Sequence, residues 1–196
     1  MESMNPEVMT EGGFRARDIS LRAQKKLLSK MSGKNMSSLF LDEYSTSLLD
    51  NLYTIAKKFS SDKKESEKLI KNIIKTVIKF AILYKNQLLD PEQKERLIVL
   101  KEKLRGLAMN IITFYDMEFT YDRIFLTHCI TECHNIVMSI AQIHLSPNSI
   151  ARINRVFNFF GNEQFLDVIF NRSSDYREPL GRLVKDLHHA IDNDLF

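Results

Sequence analysis

Cysteine is nearly missing: Cys129 and Cys133 are the only two in 196 residues. No disulfide framework can be built from one such pair, and so few thiols suit a reducing interior. Glycine and proline are also scarce, six and four residues, and fall mostly at the edges of periodic segments. Phosphate-cradling loops of the GxxxxGK[ST] or GxGxxG kind are missing, as are GxSxG and HExxH. Nothing in the motif inventory supports catalysis, so the chain is expected not to be an enzyme. Long apolar runs are lacking too; "FAILY" (80–84) is hemmed in by Lys79 and Lys85. The first residues carry no apolar core behind a basic start, which argues against a secretory signal. Glu2, Glu7 and Glu11 argue against a mitochondrial address. The cytoplasm is the expected location.

What is present is a soluble, globular composition, 44% hydrophobic and 27% charged, with a net charge of only +3. The charge is local. Between Phe14 and Lys34 stand Arg15, Arg17, Arg22, Lys25, Lys26, Lys30 and Lys34 against Asp18 alone, so the remainder of the chain is net negative. Residues 1–18 read as a polar, disordered tail. A helix over 21–31 places Leu21, Leu27, Leu28 and Met31 on one side and Arg22, Lys25, Lys26 and Lys30 on the other. Such a basic amphipathic helix suits a solvated surface, an anionic lipid surface or, less well, nucleic acid. It has no interleaved aromatics for stacking on bases.

The rest reads as helix almost throughout. "DPEQ" (90–93) predicts a capping box with Pro91 at the first helical position, "SPNS" (146–149) repeats the device, and Asp62 with Glu65 forms another capping pair. Pro179 stands ahead of the last periodic stretch, and Gly161 stops the segment before it. Apolar pairs recur every four residues from Leu69–Ile70 to Ala81–Ile82, which predicts one broad buried face. Lys64, Lys68, Lys71, Lys75 and Lys79 lie opposite as an expected solvated stripe. Segments 42–59, 91–114, 121–145, 147–160 and 179–195 also read as helices. "TFYDMEFTY" (113–121) reads as a helix end and a turn, with Thr120 as the next cap. Segment 121–145 is apolar on nearly every side and is expected to be central. One all-α domain follows.

The reactive-looking cluster "HCITECH" (128–134) puts two cysteines on one helix face and His128 with Glu132 on another. Tetrahedral zinc needs more converging ligands than either face supplies, so no metal site is expected. Packed, polarizable cysteines in a helix interior are the reading that remains.

Five stretches carry a family likeness: "QKKLLSKM" (24–31), "LLDNLY" (48–53), "EKLIKNIIKTVIKFAILYKN" (67–86), "FTYDRIFLTHCITEC" (119–133) and "RINRVFNFF" (152–160). In unbroken order over about residues 19–196, they resemble the tumour necrosis factor alpha-induced protein 8 (TIPE) family. The resemblance implies a single-domain antiparallel bundle of about six helices around an apolar cavity (35–196), preceded by a basic amphipathic helix (19–34). It implies binding of phosphoinositides or other anionic phospholipids, possession of lipid-transfer activity in some members, reversible membrane association, and roles in apoptosis, autophagy and immune signalling. Cofactors and nucleic acid are not implied. Carried over by position, the headgroup residues are Lys25, Lys26 and Lys30 of the opening helix, with Lys85 and Lys101 at the cavity mouth. Some relatives have arginine at these last two positions; lysine keeps the charge but loses the bidentate grip on phosphate. The rival is a protein–protein adaptor in cell-death signalling, with a filled core and no bound lipid.

Overall fold

Four helices begin where a side chain satisfies an end amide. The structure, a computed structural model, describes residues 15–28 and 43–194. They form eight helices: α1 (Ala16–Leu28), α2 (Glu43–Ser60), α3 (Lys63–Lys85), α4 (Pro91–Asp116), α5 (Arg123–His144), α6 (Pro147–Phe160), α7 (Glu163–Phe170) and α8 (Arg177–Asp192). At the start of α4 the expected capping box is complete: Gln93 N–H donates to Asp90 Oδ1 at 2.7 Å, and Asp90 N–H to Gln93 Oε1 at 3.2 Å. Asp62 caps α3 by accepting from the amides of Lys64 and Glu65. Pro147 opens α6 and Gly161 closes it. Ser146 makes no side-chain cap bond there; its hydroxyl lies 3.0 Å from that of Ser149.

Three expectations need correction. The cap of α5 is Asp122, which accepts from Phe125 N–H at 2.9 Å. Thr120 instead donates back to the carbonyls of Thr113 and Met117, bracing the end of α4. A helix missing from the sequence reading, α7, occupies 163–170, capped by Asn162. And α1 begins at Ala16, inside the stretch expected to be a disordered tail; the rest of that tail and the 29–34 end of the opening helix lie outside the described residues. The buried side of α1 is Ala16, Ile19 and Ser20, while Leu21, expected on the apolar side, is exposed. Ala16 N–H donates to Asp50 Oδ1 at 2.9 Å, tying α1 to α2.

Six helices pack in circular order, α2, α3, α6, α5, α4, α8 and back to α2. Two-residue connections at 61–62 and 145–146 make α2 with α3, and α5 with α6, antiparallel neighbours. Short α7 plugs one end of the ring, and α1 lies outside on α3 and α2. That plugged end is filled: Phe165, Leu166, Ile169 and Phe170 of α7 meet Leu180, Leu183 and Leu187 of α8 and Ala108, Ile112 and Phe114 of α4. Asp186 on α8 accepts from Ser47 Oγ and Asn51 Nδ2 on α2, at 2.9 and 2.7 Å, locking those two helices in register. The other end, between α3 and α4, is not filled.

Helix α5 is less central than its composition predicts. Leu126, Cys133, Val137, Ile140 and Ala141 face the bundle, but Ile124, Phe125 and Ile143 are exposed. Among the described residues it is the one helix with the length and mean hydropathy to cross a membrane, although no uninterrupted apolar run marks it in the sequence. In this fold it is a wall of the ring, packed on α4, α6 and α7.

Candidate lipid-binding site

Helices α3 and α4 follow each other in sequence yet barely touch, and the space between them is a cavity of about 460 Å³. Its α3 wall is the row Ile73, Val77, Ala81 and Tyr84 with Thr76 and Phe80 beside it. Leu97, Leu100 and Leu104 of α4 face these, one helical turn apart. Val137 of α5 and Ile153, Val156 and Phe157 of α6 complete the lining. The two polar side chains are Thr76 and Tyr84, and the Thr76 hydroxyl is already spent on the Asn72 carbonyl at 2.8 Å. A dry, aliphatic and aromatic surface of this size falls in the range of small-molecule sites, and it offers an apolar ligand contact without asking it for hydrogen bonds. Val77, Tyr84 and Leu104 are lining residues that solvent reaches, so they mark the opening.

Four of the five residues expected to hold a headgroup lie on described helices. Lys85 follows the lining residue Tyr84 at the end of α3, and Lys101 follows Leu100, one turn beyond Leu97 on α4; both are exposed. Lys25 and Lys26 lie in the last two turns of α1. That helix covers the row Ile70, Ile74 and Ile78 of α3, the next row round from the one that lines the cavity. So α1 runs beside the opening. Lys30 lies outside the described residues.

The reactive-looking cluster on α5 is structural. Cys133 is fully buried between α4 and α6, and burial pushes its thiol up to about 11. Burial also raises Cys129, so both thiols stay protonated and unreactive near neutral pH. Glu132 is turned outward to Lys103 on α4 at 2.9 Å. His134 is held by Asn154 at 2.7 Å and stacks on Phe157, thereby steadying a ring of the cavity wall from behind. Sequence reasoning gave this histidine no role, since its partner lies on another helix.

The lysine stripe of α3 is also not the solvated face expected of it. Lys64 and Lys68 are exposed, but Lys71, Lys75 and Lys79 are half-buried. Helix α6 packs along this side of α3, and the Lys79 ammonium donates to Ser149 Oγ of α6. Desolvation lowers the Lys79 pKa, and the nearby charges of Arg152 and Lys75 lower it further.

A ring of helices filled at one end and hollow at the other, with aliphatic walls, defines an all-α bundle of the cavity-bearing class. The chain belongs to the tumor necrosis factor alpha-induced protein 8-like family, whose sequence profile matches residues 14–194. It is 42% identical over 184 residues to protein salivary glands marred of Drosophila melanogaster, covering 94% of this chain and 98% of that protein. To tumor necrosis factor alpha-induced protein 8 of Homo sapiens it is 34% identical over 181 residues, 92% of this chain and 91% of the human one. The crystal structure of the C-terminal region of G-protein interacting protein 1 from Dictyostelium discoideum superposes with a TM-score of 0.67. At 16% identity, covering 80% of this chain and 95% of that one, it shares the fold.

Proposed function

We propose that this chain is a phospholipid-binding regulator, of the phosphoinositide-binding kind, that acts without catalysis in apoptosis, autophagy or immune and stress signalling. One acyl chain enters the cavity between α3 and α4, and headgroup phosphates pair with Lys85 and Lys101 at its opening. Lys25, Lys26 and Lys30 of the N-terminal segment add to the basic rim, and attachment to a membrane is reversible. The observation that carries this reading is the cavity of about 460 Å³ with apolar walls and a solvent-reached opening. Ammonium groups beside such an opening suit phosphate through charge-assisted hydrogen bonds. The same cavity, loaded at one membrane and emptied at another, would serve lipid transfer.

A second reading, a protein–protein adaptor with no bound lipid, draws on a different observation. At the filled end of the bundle, Met117, Phe119, Ile124 and Phe125 are all exposed around the α4–α5 turn, and apolar tips of this kind anchor protein interfaces. Native and denaturing mass spectrometry of the full chain purified from cells separates the two. The lipid reading expects an adduct of phospholipid mass that is lost on denaturation. A bare chain that also takes up no phosphoinositide from vesicles overturns it in favour of the adaptor.

A further inference from the structure

Outside the cavity, on the far side of α3, two acid-free stretches come together. Residues 68–86 hold Lys68, Lys71, Lys75, Lys79 and Lys85 and no carboxylate, and residues 146–162 hold Arg152 and Arg155 and none. Because α3 and α6 pack on one another, the two stretches share one surface. Lys79 crosses the seam to Ser149, and the Arg152 and Lys75 charges both lie close enough to depress its pKa. Arg152 and Arg155 are exposed and make no hydrogen bond or ion pair among the described residues. Carboxylates return at the start of α3, where Glu65 shares a surface groove with Arg155 and Glu67 pairs with Lys71 at 2.9 Å. Like charges held this close without an intervening acid repel one another in the free protein, and a polyanion relieves the repulsion.

We propose that the α3–α6 seam is a docking surface for an anionic bilayer, distinct from the cavity mouth. Two features favour a membrane over an acidic protein. No large apolar side chain of α6 is exposed, so the seam lacks the buried anchor on which protein interfaces depend. Lys68, Lys75 and Lys79 also share one side of α3 over about 16 Å, a geometry that meets a plane of headgroups along its length. The surface would act whether or not the cavity holds a lipid.

The test uses the full chain and vesicles of phosphatidylcholine with phosphatidylserine, against phosphatidylcholine alone. Substituting Arg152→Gln with Arg155→Gln removes two exposed, unpaired charges and is expected to leave the melting temperature unchanged. Each basic group near an anionic surface accounts for about a five-fold change in binding, so the pair should weaken it roughly 25-fold. The difference should shrink as salt is raised, and Arg152→Lys with Arg155→Lys should restore binding. The mass of any lipid carried by the purified chain should not change, which separates this surface from the cavity. The proposal is overturned if the wild-type chain ignores phosphatidylserine, or if the Gln variant binds within two-fold of it. It is equally overturned, in favour of a protein partner, if the variant keeps its vesicle binding but loses binding to polyglutamate.

Discussion

Replacing Ala81 by phenylalanine should shorten the acyl chain that the protein accepts. Ala81 lines the cavity from the middle of α3, so a ring built there enters empty space rather than a packed core. At roughly 30 Å³ per water-sized group, 460 Å³ has room for about fifteen methylene-sized groups, close to one long acyl chain. The six added ring carbons, packed more compactly in an aromatic ring, fill on the order of 120 Å³ and displace about four such groups. Each methylene kept out of the cavity forfeits about 0.8 kcal/mol, so a full-length chain loses about 3 kcal/mol, or somewhat more than 100-fold in affinity. The assay is uptake of a phosphoinositide series differing only in acyl length, measured by native mass spectrometry or from vesicles. The Ala81→Phe chain should bind the long members more than 100-fold more weakly, and members about four carbons shorter nearly as well as wild type does. Melting temperature should hold or rise, because the ring gains contacts with Phe80 and the α4 leucines. Equal affinity for long and short chains in wild type and variant alike would place the acyl group elsewhere and refute the reasoning.

Phe119 has φ +60° and a fully exposed side chain, so it bears the left-handed penalty of an L-residue without any packing in return. Phe119→Gly should therefore stabilise the chain by about 1 kcal/mol, a rise of about 2–4 °C in a thermal melt; a fall would mean that the ring holds a contact in solution. Cys133 gives a pH dependence. Its folded pKa, about 11, is raised above the ordinary thiol value of 9.0 by burial, so the unfolded chain ionises first. The associated stability is fully present below pH 9 and lost as pH climbs through 11. Denaturant titrations of wild type and Cys133→Ala should thus diverge in slope only across that window, and parallel slopes would contradict the assignment.

Much of the frame could be read from side-chain chemistry alone. Asp90, Pro91 and Gln93 announce the start of α4 because a capping box is local, needing nothing beyond four residues. Gly161 announces the end of α6 for the same reason. The misses are those that depend on distant groups or on competition between neighbours. Thr120 and Asp122 are both good caps, and Thr120 was diverted because carbonyls at the end of α4 lay within its reach. Eight residues are too few for α7 to display a period, and its Gly161–Asn162 lead-in reads as a loop. The cavity was implied by family likeness and not by pattern: Leu97 and Leu100, which face a void, obey the same spacing as Ala108 and Ile112, which face a filled core. Lys79 looked solvated because no property of α3 reveals that Ser149 of α6 lies against it. For α5, composition overstated centrality, since Ile124 and Ile143 are apolar yet on the outer side.

The hollow end of the ring has a mechanical consequence. Internal void is volume that unfolding eliminates, so hydrostatic pressure drives a chain with an empty cavity toward the unfolded or flooded state. Filling the space between α3 and α4 removes that leverage without adding a single hydrogen bond. The empty and occupied forms should therefore differ in compressibility as well as in heat resistance, with pressure as the variable that reads the void itself.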